Sequence, residues 1–364
     1  MAALRAGLIG LGEIGSLYER ESWRGSPSTH AEAFEVVPQT ELVAACDLSK
    51  ARRQAFAQKR PHVRLFADAA DMVAAERLDV VAIATPHNTH ADLVELCAAA
   101  GVRGLIVEKP LATDLVQADR IIAACGEHGV IASVSYLRRW DVNFQAIKQA
   151  LEGREWGELI YVCGHMSRFK PYGWQADAEL SGGFLTYDPT HLLELYLWLA
   201  GEPEWVSAQV ERRDKSLRVE DFVLATFGFH NGVRGHLEVD AYREYFEFSI
   251  DLQLSRGRLE FTSGLHDNPY RLFRPRAVDD KWSFMQAEPW VPQDPGALQV
   301  LQVEDLVKCL EEGSQPAVTL EVARQVVEMT LGIYESARLG GAKVSFPLAI
   351  RENPLPRMIA QGVI

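Results

Sequence analysis

Two residues of this chain stand where a proton could be moved. Lys109 lies in the tripeptide Glu108-Lys109-Pro110, directly after the apolar run Leu105-Ile106-Val107. Such a run reads as a buried strand. The carboxyl edge of a strand is where open α/β sheets put their ligands. Pro110 keeps Lys109 out of the helical region and fixes the direction of its stem. A lysine held that way can work as an acid or a base. His191 ends the segment Ser181-Gly-Gly-Phe-Leu-Thr-Tyr-Asp-Pro-Thr-His191, just before an apolar helical run. Asp188 followed by Pro189 reads as a helix start, Asp at the cap and Pro at the first helical position. His191 then falls in the first turn, where the helix dipole disfavours imidazolium and leaves a proton acceptor. Taken alone, Asp188 is explained by capping. His191 taken alone is a partly buried helix histidine, since histidine has many structural uses.

A redox cofactor would give these groups something to work on. Gly10-Leu-Gly12-Glu13-Ile14-Gly15 follows a short strand over residues 4–9 and precedes helix-competent residues. Gly10 allows a tight turn, Gly12 lets backbone N–H groups approach a pyrophosphate, and Gly15 lets helix and strand pack closely. A second strand, Glu41 to Cys46, ends at Asp47. A carboxylate there would accept from a ribose 2′-OH, which favours NAD. Asp47 comes about ten residues later than the usual spacing of roughly 20. The excess fits a Gly-, Pro- and Ser-containing loop from Tyr18 to Thr29 that interrupts the first crossover helix. Lys50, Arg52 and Arg53 follow closely and keep NADP open, although a solvated helix face is their simpler reading.

The elements that must position these residues alternate in the first third of the chain. Val80–Ala84 is a buried parallel strand that ends in Thr85-Pro86-His87-Asn88-Thr89-His90. A helix from Asp92 stops at Gly101, a second covers 114–128, and Val130–Ser135 is a further strand. This βαβ series makes an α/β, doubly wound parallel sheet over residues 1–134. After Tyr136 a helix over Val142–Glu152 leads into strands of period two. They cover 159–168, 205–213, 222–229, 232–241, 246–255 and 258–262, with Asn231-Gly232 and Arg256-Gly257 at hairpin turns. Residues 135–364 therefore read as an α+β domain with a large, open, mostly antiparallel sheet. Helices over 296–312 and 319–339 close the chain and are expected to pack back on the first domain.

Composition excludes several classes. The 364 residues are 48% hydrophobic and carry a formal net charge of -13, with no basic stripe for nucleic acid. No apolar stretch is long enough to span a membrane. Five scattered cysteines form no C-x-x-C pair and no metal spacing, so packed, reduced thiols in a cytoplasmic protein are expected, with no metal. No signal peptide is visible at the start of the sequence.

The ordered set Gly10-x-Gly12-x-x-Gly15, Asp47, Thr85-Pro86…His90, Glu108-Lys109-Pro110, Gly182-Gly183…His191 and Tyr334-Glu-Ser-Ala-Arg338 resembles the Gfo/Idh/MocA family (glucose–fructose oxidoreductase, inositol dehydrogenase) over nearly the whole chain. The resemblance implies a Rossmann domain followed by an open substrate sheet that also makes an interface in a homo-oligomer, a dimer or tetramer. It implies an NAD-dependent oxidoreductase acting on the secondary alcohol of a sugar, cyclitol or sugar derivative. Its catalytic lysine and histidine carry over to Lys109 and His191. Gly10, Gly12, Glu13, Ile14, Gly15, Asp47, Thr85, Pro86, His90, Glu108 and Lys109 form the expected cofactor set. Tyr136, Arg139, His165, Trp174, Tyr187 and Asp188 are substrate candidates, with Asn143 and Arg168 beside them. The family often has Asp four residues before its histidine; here that position is Tyr187, which favours the capping reading of Asp188. A glycoside hydrolase working through transient oxidation, a dihydrodiol-type dehydrogenase, and an NAD-sensing regulator without turnover stay open as alternatives.

Overall fold

Strand–helix alternation in the first 140 residues produces one parallel sheet. A computed structural model of the chain describes residues 3–21, 26–264 and 268–364. It divides into two compact units, Met1–Asp141 with Pro295–Arg324, and Val142–Asp294 with Gln325–Ile364.

The strands of the first unit are β1 (Leu4–Ile9), β2 (Thr40–Cys46), β3 (Arg64–Phe66), β4 (Val80–Ile83), β5 (Gly104–Val107) and β6 (Ile131–Val134). Their order in the sheet is β3-β2-β1-β4-β5-β6, parallel throughout. The connecting helices are α1 (His30–Val36), α2 (Lys50–Lys59), α3 (Ala69–Ala75), α4 (His90–Ala99) and α5 (Leu115–His128). Strand order reverses between β1 and β4, which puts the crevice outside the carboxyl ends of these two strands. On one face, Phe34 of α1 and Val303, Leu306 and Val307 of a later helix (Leu298–Glu312) pack on Leu8, Ala82 and Ile106. Val81, Ile83, Leu105 and Val107 point to the other face by strand alternation and are equally buried. The sheet is thus covered on both sides, as the near-continuous apolar strands require.

The loop expected from Tyr18 to Thr29 contains residues 22–25, which lie outside the described residues. Around them the first crossover is broken into a wide turn over Glu13–Leu17, a short turn over Tyr18–Arg20, and α1.

The second unit opens with α6 (Val142–Glu152) and β7 (Leu159–Ser167), followed by the short α7 (Ala178–Ser181) and α8 (Thr190–Ala200). Then come β8 (Pro203–Glu211), β9 (Phe222–Phe229), β10 (Arg234–Asp240), β11 (Glu247–Leu254), β12 (Gly257–Thr262), β13 (Tyr270–Ala277) and β14 (Ser283–Glu288). The later helix of the first unit is α9 (Leu298–Glu312). It is followed by α10 (Leu320–Arg338), β15 (Val344–Ser345) and α11 (Leu355–Ala360). The nine-stranded sheet runs β14-β13-β12-β11-β7-β10-β9-β8-β15. Among its described strands, β7 and β10 pair in parallel and the other pairs are antiparallel. Alternation sorts the faces. Val162, Gly164 and Met166 of β7 are buried, and a side chain at Gly164 would meet Tyr196 and Leu192 of α8. Tyr161, Cys163 and His165 stand half-exposed on the opposite face. The hairpin of β13 and β14 goes beyond the expected strands, and every residue of β14 is exposed.

The five cysteines are free, and all but Cys163 are buried. Burial pushes the Cys97 and Cys125 thiols up to about 12, which leaves them inert. Among the described residues, no helix is long and apolar enough to cross a membrane.

Candidate active site

In the first unit the candidate residues gather at the carboxyl ends of β1, β2, β4 and β5. Gly10 turns the chain at a φ of +98°, and a Cβ there would lie 2.2 Å from the Ala84 carbonyl oxygen. A Cβ on Gly15 would lie 2.1 Å from the Gly10 oxygen, so neither position has room for a side chain. At Gly12 the situation is opposite. The nearest atom to a Cβ would be Arg52 Nη1, at 4.0 Å, so the backbone faces open space. Closed packing at two glycines and an open approach at the third fit a dinucleotide pyrophosphate laid against the turn. Asp47 braces the turn from behind. Leu11 N–H donates to its Oδ2 at 2.9 Å, and Ser49 N–H donates to its Oδ1 at 2.7 Å. Arg52 Nη1 stands 3.4 Å from the same Oδ2. Glu13 is held by Tyr18, whose hydroxyl donates to Oε2 at 3.0 Å.

At the end of β4, the Thr85 and Thr89 hydroxyls are 2.7 Å apart, and the Thr89 hydroxyl donates to the Pro86 carbonyl. His90 is fully buried. Its Nδ1 faces the Pro110 and Leu111 carbonyls at 3.1 and 3.3 Å, and its Nε2 faces the Thr85 carbonyl at 3.1 Å. Burial holds the imidazole below its usual value, against the pull of those carbonyls and of Glu108. His90 thus ties the end of β4 to the turn after β5. That turn carries Lys109, and the Lys109–Pro110 peptide is cis. Glu108 is buried, and His30 Nε2 lies 2.8 Å from its Oε1. Burial would raise the Glu108 carboxyl. The hydrogen bond and charge of His30, the charge of Lys109 and the Ser135 hydroxyl outweigh it and bring the group below its ordinary value. Tyr136 is fully buried after β6, and Arg139 follows in a short turn over Leu137–Trp140.

In the second unit a different cluster forms around the start of α8. The expected cap is not how this helix begins. Pro189 occupies the cap position, Thr190 is the first helical residue, and the Asp188 carboxylate pairs with Arg168 Nη1 at 2.5 Å. The buried guanidinium of Arg168 competes for that carboxylate more strongly than a backbone N–H can. His191 still lies in the first turn, with its N–H on the Asp188 carbonyl at 3.1 Å. Arg168 also stacks 4.4 Å over the Tyr187 ring, and Trp174 meets Tyr187 edge-on at 6.2 Å. Of the substrate candidates in this unit, Arg168, Trp174, Tyr187 and Asp188 come together. His165 does not join them. It lies on the sheet face opposite α8, 2.6 Å from Arg243 Nη1 and within 4.0 Å of Glu238 and Glu247. Asn143 exchanges hydrogen bonds with the backbone of Gln293.

Beneath the Gly182-Gly183 segment lies a pair that sequence reasoning missed. Glu220 is fully buried; it accepts from the Tyr334 hydroxyl at 2.5 Å and from Leu185 N–H at 2.7 Å. Burial pushes this carboxyl up to about 7, even though those donors pull it down. Gly183, at a φ of +123°, has no room for a Cβ, which would sit 2.2 Å from the Tyr334 hydroxyl. The closing Tyr334 motif is therefore a support for the glycine segment. His30 was missed as well. It lies 78 residues from Glu108 in sequence, and no spacing rule joins a helix start to a strand end across that distance.

A six-stranded parallel sheet with a glycine turn on β1 defines a dinucleotide-binding fold, and comparison with known proteins makes it that of an oxidoreductase. The oxidoreductase family with an NAD-binding Rossmann fold matches residues 4–136, and the GFO/IDH/MocA C-terminal domain matches residues 144–260. The chain is 30% identical over 270 residues to myo-inositol 2-dehydrogenase of Thermotoga maritima, covering 70% of this chain and 74% of that one. It is 28% identical over 327 residues to D-apiose dehydrogenase of Paraburkholderia graminis, covering 85% and 84%. The WlbA dehydrogenase of Bordetella pertussis, solved with NADH and UDP-GlcNAcA, superposes with a TM-score of 0.78 at 27% identity, over 95% of this chain and 99% of that one. The chain belongs to the GFO/IDH/MocA family of NAD-dependent oxidoreductases.

Proposed function

We propose that this chain oxidises, reversibly, a secondary alcohol of a sugar, a cyclitol or a related derivative, with Lys109 and His191 as its proton carriers. The observation that carries the reading is the turn after β5. There Glu108, His90 and Pro110 fix the backbone around Lys109 at the carboxyl edge of the parallel sheet. The names of the relatives, an inositol dehydrogenase and an apiose dehydrogenase, support the substrate class.

NAD supplies the hydride acceptor when bound. The open backbone at Gly12 is offered to its pyrophosphate, and Asp47 to the adenosine ribose. Thr85, Pro86, Glu13 and Ile14 border the same edge. His191, with Lys109, accepts the hydroxyl proton during oxidation and returns it during reduction, and Lys109 also stabilises negative charge on the reacting oxygen. His191 follows directly from the Arg168–Asp188–Tyr187 cluster, so that cluster sets where its helix starts. Tyr187 and Trp174 offer ring faces of the kind that sugars stack on.

The pair Lys109→Ala and His191→Ala tests the assignment. Each variant is expected to lose about a hundredfold or more in kcat while remaining folded. Near-wild-type turnover in both would sink it. Product analysis accompanies the assay. Accumulated NADH with an intact carbon skeleton fits the reading, whereas bond cleavage without net NADH would replace it with redox-assisted hydrolysis.

A further inference from the structure

His30 is buried at the first position of α1, and its place is fixed from both sides. Thr29 caps the helix by accepting from Glu32 N–H at 3.2 Å, and the Glu32 carboxylate accepts from Ser28 N–H at 2.7 Å. This is a variant of the capping box, and it pins the helix start. From there the ring reaches Glu108 Oε1 at 2.8 Å. Glu108 turns its other oxygen, Oε2, toward the backbone N–H of Lys109, at 3.3 Å. Because a carboxylate only accepts, the His30 proton must be on Nε2. Among the described residues the buried His30 Nδ1 atom has no partner, so the hydrogen bond to Glu108 is the one that aligns the ring. A second arm reaches the same carboxylate. Ser135 hydrogen-bonds Glu108. The Ser135 hydroxyl is also 3.2 Å from Gln302 Oε1, whose amide donates to Ser133 at 3.1 Å.

We propose that His30 is a positioning residue for the reaction, acting through Glu108 to hold the turn that carries Lys109. The inference rests on the reading of Lys109 given above. His30 is too buried to touch a substrate, so it acts only through Glu108. Fastening α1 to β5 would by itself require only that some contact be made there. The added feature is that one carboxylate bridges His30 to the peptide N–H of the proton carrier itself.

The test compares His30→Leu, His30→Gln and Glu108→Gln with Lys109→Ala, measuring kcat, KM, NAD dissociation constant and melting temperature. Leucine removes the donor, while a glutamine amide stands near the place of Nε2 and restores it. His30→Leu is expected to lose between about ten- and a hundredfold in kcat, the cost of a misplaced reacting group. Its NAD affinity should change little, because the pyrophosphate turn is untouched. His30→Gln should recover most of the loss. A folded His30→Leu with wild-type kcat overturns the proposal, as does a His30→Gln no better than His30→Leu. If His30→Leu fails to fold, Glu108→Gln decides: it should lower kcat, and wild-type turnover there overturns the proposal. Full turnover in Lys109→Ala would instead defeat the reading beneath it, so the two failures are distinguishable.

Discussion

Asp47 and Glu220 are both buried carboxylates, and their partners set them to different tasks. Asp47 holds Leu11 and Ser49 N–H groups and so shapes the glycine turn before any cofactor arrives. Its place at a strand end was legible because the apolar run before it is unambiguous. Its grip on Leu11 was not, since a hydrogen bond across 36 residues leaves no periodic trace. Tyr334 and backbone donors pull on Glu220, and burial outweighs them. Its folded value, about 7, lies above the ordinary 4.5. Between these values the folded state holds a proton that the unfolded state has lost. Stability from this group is therefore full below about 4.5 and falls as pH rises through about 7, by on the order of 3 kcal/mol. Glu220→Gln keeps an acceptor for Tyr334 and removes the titration. Its stability relative to wild type should rise between about pH 5 and pH 8, as read by chemical denaturation. A difference that stays constant with pH would contradict the assignment.

Elements with a clean period were readable from sequence, and those without one were not. In the parallel sheet, β4 and β5 are buried at all four of their residues. Buried strands and amphipathic helices such as α5 announce themselves through composition. The β13–β14 hairpin does not, because Arg271, Pro275, Arg276 and the whole of β14 have little burial to offer and no apolar alternation forms. The start of α8 failed for another reason. Asp-Pro predicts a cap from local preference, but Arg168, 20 residues away in sequence, takes the carboxylate. Tertiary charge overrode a local rule worth about 1 kcal/mol. At the Gly182-Gly183 segment the requirement is steric. Gly183→Ala must displace Tyr334, Leu355 and Glu220 and hold a positive φ, and it should cost about 2 kcal/mol or more. Denaturant unfolding checks this; an alanine variant as stable as wild type would show that the Tyr334 support yields freely.

For the chain as a whole, the family and the cofactor class were legible because they depend on short, ordered motifs carried by regular elements. The substrate candidates Trp174, Tyr187 and Arg168 come together through tertiary folding and leave no motif. Everything proposed for the site depends on hydride transfer from a polyol to NAD. The decisive experiment is NADH formation by the purified protein across a panel of sugars, inositols and glycosides, run with NAD and with NADP. NADH should accumulate with at least one polyol, faster with NAD than with NADP, and this activity should be lost in Lys109→Ala. Tight NAD binding without reduction by any member of the panel would contradict hydride transfer and would point to a protein that senses the dinucleotide.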